Sequence, residues 1–324
     1  MSKAIRIHTY GGPEVMRWED VPTPEPGPGE VLIKHAAVGL NYIDVYFRTG
    51  LYKAPSMPVT PGMEGAGTVA AVGPGVTEFA VGDRVAYGTG TPGAYCTMRA
   101  VPAERLLKLP DAIEFKTAAA MMLQGLTVQY LLKRTCKVQA GDTIVLHAAA
   151  GGVGLIACQW AKHLGVTVIG VVSTEAKAEL ARANGCAHTV IGHANLAAEV
   201  KKITGGAMVP VVYDSVGKDT FMASLDCLRP LGLMVSFGNA SGPVTGLDVG
   251  VLGAKGSLYL TRPTLATYAA KREDLAAMAA DLFSVVGSGA VKIAVNQTFP
   301  LSDAAAAHIA LESRKTTGST VLIP

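Results

Sequence analysis

The sequence predicts an α/β protein of two domains, one a barrel of short strands and the other a doubly wound parallel sheet. Three observations predict it. At 324 residues the chain exceeds the size of one comfortable hydrophobic core. Residues 1 to about 122 read as short strands punctuated by Gly and Pro, whereas from about residue 124 strand-like and helix-like segments alternate. Within the second half, a glycine-rich run follows an apolar strand and opens a helix.

In order along the chain, the turn-rich Pro22–Gly29 introduces a strand over Glu30–Gly39, and Gly67–Gly73 and Asp83–Tyr87 predict two more. The pattern is that of an all-β barrel. Further strands are expected near 143–148, 167–172, 188–191, 209–214, 231–237 and 257–261, with helices between them. After Pro263 an Ala-rich amphipathic stretch runs to about Val286. A strand-like Lys292–Val295 and a helix-like Asp303–Ser313 follow, and Ser319–Ile323 is expected to return to the first domain as a strand.

Composition narrows the function. Nearly half the residues are apolar (49%), but Gly interrupts the most apolar windows, which are too short to span a bilayer. The N-terminus lacks a secretory apolar core, so a cytoplasmic location is expected. A net charge of +3 with no long basic run gives no support for nucleic-acid binding. The five cysteines are odd in number, scattered and without a C-x-x-C pair, which argues against a disulfide framework or a zinc knuckle. Cys158 is expected to be buried on the inner face of its helix.

The glycine-rich run is Ala148-Ala149-Ala150-Gly151-Gly152-Val153-Gly154, between Thr143–His147 and Leu155–His163. Such a turn lets the backbone approach a pyrophosphate, and the helix that follows offers free N–H groups and a partial positive charge. The run departs from G-x-G-x-x-G in having Ala at the first glycine. The next strand ends at Ser173-Thr174, where an Asp or Glu would bind the ribose hydroxyls of NAD. Hydroxyls here, with Lys177 one turn on, suit a 2′-phosphate and predict NADPH over NADH. Competing readings make Thr174 only a helix N-cap and Lys177 only a solvated helix residue. Glu175, in the first helical turn, is expected to face solvent.

Pro61-Gly62-Met63-Glu64-Gly65-Ala66-Gly67-Thr68-Val69-Ala70-Ala71-Val72-Gly73 and Val81-Gly82-Asp83-Arg84-Val85 resemble the signature of the medium-chain dehydrogenase/reductase superfamily. Asn41-Tyr42-Ile43-Asp44, His147–Gly154, Tyr213–Gly217, Ser236–Asn239 and Leu311–Arg314 narrow the resemblance to its zinc-free NADPH:quinone oxidoreductases. It implies a GroES-like catalytic domain over 1–123 and 264–324, and a Rossmann nucleotide-binding domain over 124–263. It also makes the metal question concrete. Zinc-dependent relatives place Cys where this chain has Asn41 and His where it has Met63, and neither Asn nor Met is a plausible zinc ligand beside Glu64. No metal is expected. Without a Lewis acid, alcohol oxidation gives way to reduction of an electron-poor acceptor such as a quinone.

The resemblance implies that Asn41, Tyr46 and Tyr52 line a cleft near the nicotinamide, with Arg262 opposite. Asn41 would hydrogen-bond the cofactor or a quinone oxygen, and the tyrosines would donate to a developing oxyanion or form an aromatic wall. Thr127 resembles the contact to the nicotinamide ribose, although a Thr early in a helix is often only a cap. Leu123, Val216, Gly217, Phe237, Gly238 and Asn239 would border the cofactor, whose pyrophosphate would lie on Gly151, Gly152 and Val153. Ser173, Lys177 and Arg314 match the family's 2′-phosphate pattern, whereas His193 stands where a Tyr is expected. A homodimer through the apolar edge Gly256–Thr261 is implied too. Two readings compete with quinone reduction by hydride or single-electron transfer: an NADPH-dependent reductase of α,β-unsaturated carbonyls, and a non-catalytic NADPH- or RNA-binding protein.

Overall fold

The computed structural model describes residues 1–324 and divides into two compact units. The first comprises Met1–Leu126, Tyr268–Gly287 and Ile293–Pro324, and the second Thr127–Thr267 with Ser288–Lys292.

In the first unit, strands β1 (Ser2–Ile7) and β2 (Met16–Val21) pair antiparallel. A long strand β3 (Glu30–Leu40) is followed by helix α1 (Tyr42–Thr49), then β4 (Glu64–Val72), β5 (Arg84–Tyr87), β6 (Met98–Pro102), β7 (Leu107–Lys108) and helix α2 (Phe115–Tyr130). Irregularities in register at Leu32/Ile33 and His35/Ala37 accompany the pairing of β3 with β4, and β6 pairs with β3 as well. Bulges of this kind bend a strand and raise its twist, as a barrel-like sheet requires. Ile33, Val38, Val69, Val85, Tyr95 and Leu322 fill the core.

The reading of this region as all-β needs correcting, because α1 and most of α2 belong to it. A capping interaction stabilises α1: the Asp44 carboxylate accepts the Asn41 N–H at 2.9 Å. Gly50 ends the helix in the left-handed region (φ 80°), which other residues adopt only at a cost.

The second unit carries a six-stranded parallel sheet. Its strands are β8 (Thr143–His147), β9 (Thr167–Val172), β10 (His188–Ile191), β11 (Val209–Asp214), β12 (Leu228–Ser236) and β13 (Tyr259–Thr261), in the spatial order β10-β9-β8-β11-β12-β13. Helices α3 (Gly152–His163), α4 (Glu175–Ala183), α5 (Leu196–Ile203), α6 (Phe221–Leu225) and α7 (Gly250–Ala254) lie between them in sequence. The order reverses beside β8, and in such sheets ligands collect outside the strand ends at that switch. Val145, Ile169, Val171, Val212 and Met234 form the core.

Four expected elements shift. The strand expected at 231–237 begins at Leu228, and Leu231 within it takes a φ of 61° where its N–H bonds Gly256. The strand expected from 257 starts at Tyr259. The stretch after Pro263 breaks into α8 (Leu265–Tyr268) and α9 (Arg272–Gly287), and within the first unit Arg105 binds the Ala269 and Ala270 carbonyls at the break. The strand read over Lys292–Val295 instead occupies β14 (Val295–Pro300), followed by α10 (Ala304–Glu312) and β15 (Ser319–Ile323). As expected, β15 joins the first unit, lying between β14 and β3. Cys158 is buried, all five cysteines are unpaired, and no helix is long and apolar enough to cross a membrane.

Candidate functional site

In the second unit the glycine turn has the conformation its sequence demands. Ala148, at the first fingerprint position, sits at φ 53°, where glycine would be free of strain. Gly154 lies so near the preceding turn that a Cβ would come within 2.3 Å of the Ala148 carbonyl. Gly151 is the N-cap of α3 and no side chain caps that end, so its N-terminal amides suit an anion.

At the end of β9, Thr174 does cap α4, accepting the Lys177 N–H at 3.3 Å. Glu175 is exposed and bound to Arg182 at 2.6 Å, which leaves no carboxylate committed to a ribose. Ser173 and His193 are exposed, and Lys177 is half-buried. Arg314 lies in the first unit, after α10, where its charge acts on the Tyr42 phenol.

Beyond β11 and β12, Val216, Gly217, Phe237, Gly238 and Asn239 form adjoining turns. Ser241 N–H binds the Val216 carbonyl at 2.8 Å. Arg262, exposed just after β13, donates to the Ser236 carbonyl at 2.8 Å. Thr127 is buried in the later part of α2, which corrects its placement early in a helix and removes the capping reading.

A buried polar cluster that sequence reasoning missed holds the Val216–Gly217 turn. Asp214 Oδ1 accepts the N–H groups of Val216 and Gly217 at 2.8 and 3.1 Å. Its Oδ2 accepts the hydroxyls of Thr220 and Ser224 at 2.7 and 2.8 Å. Ser224 spends its proton there, so His147 Nε2–H, 2.9 Å away, donates to Ser224. His, Ser and Asp are present, but the hydroxyl points at the carboxylate instead of the imidazole, the reverse of a nucleophile–base arrangement. Burial lowers the His147 pKa, partly offset by Asp214. The available signal was a lone acid ending an apolar strand just before Val-Gly.

The first unit assembles a second set. Asn41, only 7% exposed, sets its amide 2.5 Å from Glu64 Oε1 and 3.1 Å from the Gln124 amide. Glu64 Oε2 accepts the Leu123 N–H at 2.7 Å. Burial pushes the Glu64 pKa up to about 8, against the hydrogen bonds from Asn41 and Leu123. Tyr46 packs edge-on against Tyr52 with centroids 5.2 Å apart, and Tyr42 and Phe47 extend this aromatic cluster.

Behind Asn41 runs a directed chain of hydrogen bonds. Arg48 can only donate, so His308 Nδ1 accepts from it at 3.0 Å and Nε2–H donates to Tyr95 Oη at 3.1 Å. Tyr95 donates to Asp44 Oδ2 at 3.0 Å, and Glu312 accepts from both terminal nitrogens of Arg48. Burial, with Arg48 nearby, lowers the His308 pKa to about 3, as a neutral donor requires. Burial raises that of Asp44 to about 7.

The donor set does not suit zinc. Met63 is buried beside Glu64, Asn41 engages Glu64 through its amide, and no group of three or more His, Cys, Asp or Glu is arranged to hold a metal ion.

Comparison with known proteins identifies the relatives of the chain. A family model described as zinc-binding dehydrogenase matches residues 152–284, and one described as alcohol dehydrogenase GroES-like domain matches residues 27–111. A quinone oxidoreductase of Pseudomonas aeruginosa is 56% identical, with all of both chains covered. A 2-haloacrylate reductase of Burkholderia is 46% identical, covering all of this chain and 99% of the other. The crystal structure of Escherichia coli quinone oxidoreductase complexed with NADPH superposes with a TM-score of 0.98 at 48% identity, with all of both chains covered.

Proposed function

We propose, for a chain that belongs to the quinone oxidoreductase family of the medium-chain dehydrogenase/reductase superfamily, NADPH-dependent reduction of quinones. The observation that carries the reading is the end-to-end likeness to an enzyme solved with NADPH, in a chain whose residues fit that cofactor. The uncapped N-terminus of α3 with Gly151, Gly152 and Val153 suits the pyrophosphate. Ser173, Lys177 and Arg314 would hold the 2′-phosphate, with His193 as a further donor. Thr127 would contact the nicotinamide ribose, and Leu123, Val216, Gly217, Phe237, Gly238 and Asn239 would border the cofactor.

When bound, NADPH supplies a hydride from its nicotinamide. Asn41 would orient a ligand oxygen through the N–H its neighbours leave spare. Tyr46 and Tyr52 would wall the site and donate to a developing oxyanion, and Arg262 would add positive charge. Positioning and exclusion of water would supply most of the rate. Purified protein should oxidise NADPH in the presence of 1,4-benzoquinone without added metal, and no turnover would refute the reading.

The 2-haloacrylate reductase likeness favours one second reading, reduction of an activated carbon–carbon double bond with the same cofactor. Turnover of a 2-alkenal above that of the quinone would select it. A homodimer is part of the reading, supported by the edge position and exposure of Tyr259 (62%) and Leu260. So is a cytoplasmic location, which five unpaired cysteines suit.

A further inference from the structure

Glu64, Asn41, Gln124, Ser319 and the Ala120 carbonyl stand in one buried file of the first unit, and two of its distances bear on the charge of Glu64. Ser319 Oγ lies 2.8 Å from the Gln124 amide and 3.1 Å from Ala120 O. If the amide atom facing it is oxygen, one hydroxyl proton has two acceptors to serve. The 2.5 Å between Glu64 Oε1 and the Asn41 amide is below the range of an N–H donor and at the short end of that of an O–H donor.

A half-turn of an amide exchanges its oxygen and nitrogen with almost no change of shape. With Asn41 and Gln124 both turned, the side chains of the file pair in one direction, and the Asp44 N–H that faces the Asn41 side chain keeps its bond to the Asn41 carbonyl at 3.0 Å. Glu64 O–H donates to Asn41 Oδ1, Asn41 Nδ2–H to Gln124 Oε1, Gln124 Nε2–H to Ser319 Oγ, and Ser319 O–H to Ala120 O. Glu64 Oε2 keeps the Leu123 N–H. Only the neutral acid allows this arrangement. The other arrangement, with Asn41 N–H donated to Glu64, suits the carboxylate.

We propose that Glu64 is a positioning residue whose protonation sets which end of the Asn41 amide carries the spare N–H offered to a ligand. The proposal rests on the reading of Asn41 as a ligand contact. The fit around Glu64 is close: a Cβ at Gly39 would come within 2.3 Å of Glu64 Oε1 and 2.1 Å of the Ala119 carbonyl. The ionisable groups facing the carboxyl are Asp44, Tyr87 and Tyr95. His35, bonded to Tyr87, is held neutral by burial. No cation among them favours the charged form, and an ionised Asp44 opposes it.

The test uses the full-length protein and its Glu64→Gln variant, whose amide imitates the neutral acid by accepting from Leu123 and donating to Asn41. Infrared difference spectra, wild type minus variant, report on Glu64. The expected result is the carbonyl band of a protonated carboxyl at pH 7, lost as pH rises through about 8. Carboxylate bands alone at pH 7 would overturn the proposal. In parallel, wild-type kcat/KM for 1,4-benzoquinone should fall about five- to tenfold over the same rise, the size of one neutral hydrogen bond, while the variant keeps its low-pH value throughout. A variant that retains the wild-type inflection overturns the positioning role, and so does one inactive at every pH with an unchanged melting temperature. Wild-type protein that reduces no quinone at any pH would sink the functional reading instead, and the infrared bands would still decide the state of Glu64.

Discussion

Lys177→Ala separates the two cofactors. The Lys177 backbone N–H caps on Thr174, and Ala keeps that bond while being a better helix former. The melting temperature of the variant measures any cost to the fold separately from binding. Binding is another matter. A lost charge-assisted hydrogen bond costs about 1.5–3 kcal/mol. Lys177 is half-buried and solvent screens part of its charge, so the lower half of that range applies, about 1.5–2 kcal/mol, or roughly a 10- to 30-fold weaker Kd for NADPH. NADH lacks the 2′-phosphate, and its Kd should barely change. Titration of both cofactors by intrinsic fluorescence gives the two constants, and kcat/KM should shift toward NADH by the same factor. Added salt should weaken NADPH binding more than NADH binding in the wild type, and less so in the variant. Equal losses for both cofactors would refute the argument by making Lys177 a support of the fold. No loss for either would make it a solvated helix lysine and return NADH to contention.

Asp214→Ala leaves two backbone N–H groups and two hydroxyls without their buried acceptor, so urea unfolding should show a loss of about 3–5 kcal/mol, and a loss under about 1 would refute the cluster's role. His308 and His35 have pKa values lowered by burial to about 3 and about 4 from 6.5. They contribute stability that is present above pH 6.5 and lost as pH falls toward 3, because the unfolded chain binds the extra protons. Midpoints of urea unfolding measured from pH 7 downward should fall accordingly, and His308→Gln should shallow that fall. Leu260→Lys at the exposed edge of the second unit's sheet should convert a dimer to a monomer in sedimentation experiments, and a monomeric wild type would refute the dimer outright. Chelators should leave NADPH oxidation unchanged, whereas stoichiometric zinc with activity lost on its removal would overturn the reading of Asn41 and Met63.

The second unit was the more legible in sequence, because its buried parallel strands are continuous β-branched runs and its helices alternate with them. Strand 167–172 ends where Val172 gives way to Ser173, and the structure agrees to the residue. The helices of the first unit were hidden for a physical reason. In α2, Thr117–Met122 is small and apolar on every side and largely buried, so no period of 3.6 stands out against the neighbouring strands. Site residues were readable where a local motif carries them, as at Gly151 or Asn41. Their supports were not. Arg48 and Glu312 are 264 positions apart, and Gln124 meets Ser319 across 195. No spacing rule joins such pairs, and only the closure of the sheet by β15 brings them together.

That closure sets an order of assembly during synthesis. The second unit is almost one continuous segment, Thr127–Thr267, so nearly all its contacts are available once that stretch has emerged from the ribosome. The first unit is made first yet completed last. Its strand β3 waits for β15 at Val38–Leu40, and Arg48 waits for His308 and Glu312, which lie 260 and 264 positions further along the chain. Until then, β3 shows an unpaired backbone edge at Val38–Leu40 and Arg48 lacks the side-chain partners that justify its burial, the conditions under which nascent chains attract chaperones or one another. A chain stalled or truncated before Ser319 would therefore be expected to keep a folded nucleotide-binding unit attached to an unfinished, aggregation-prone one.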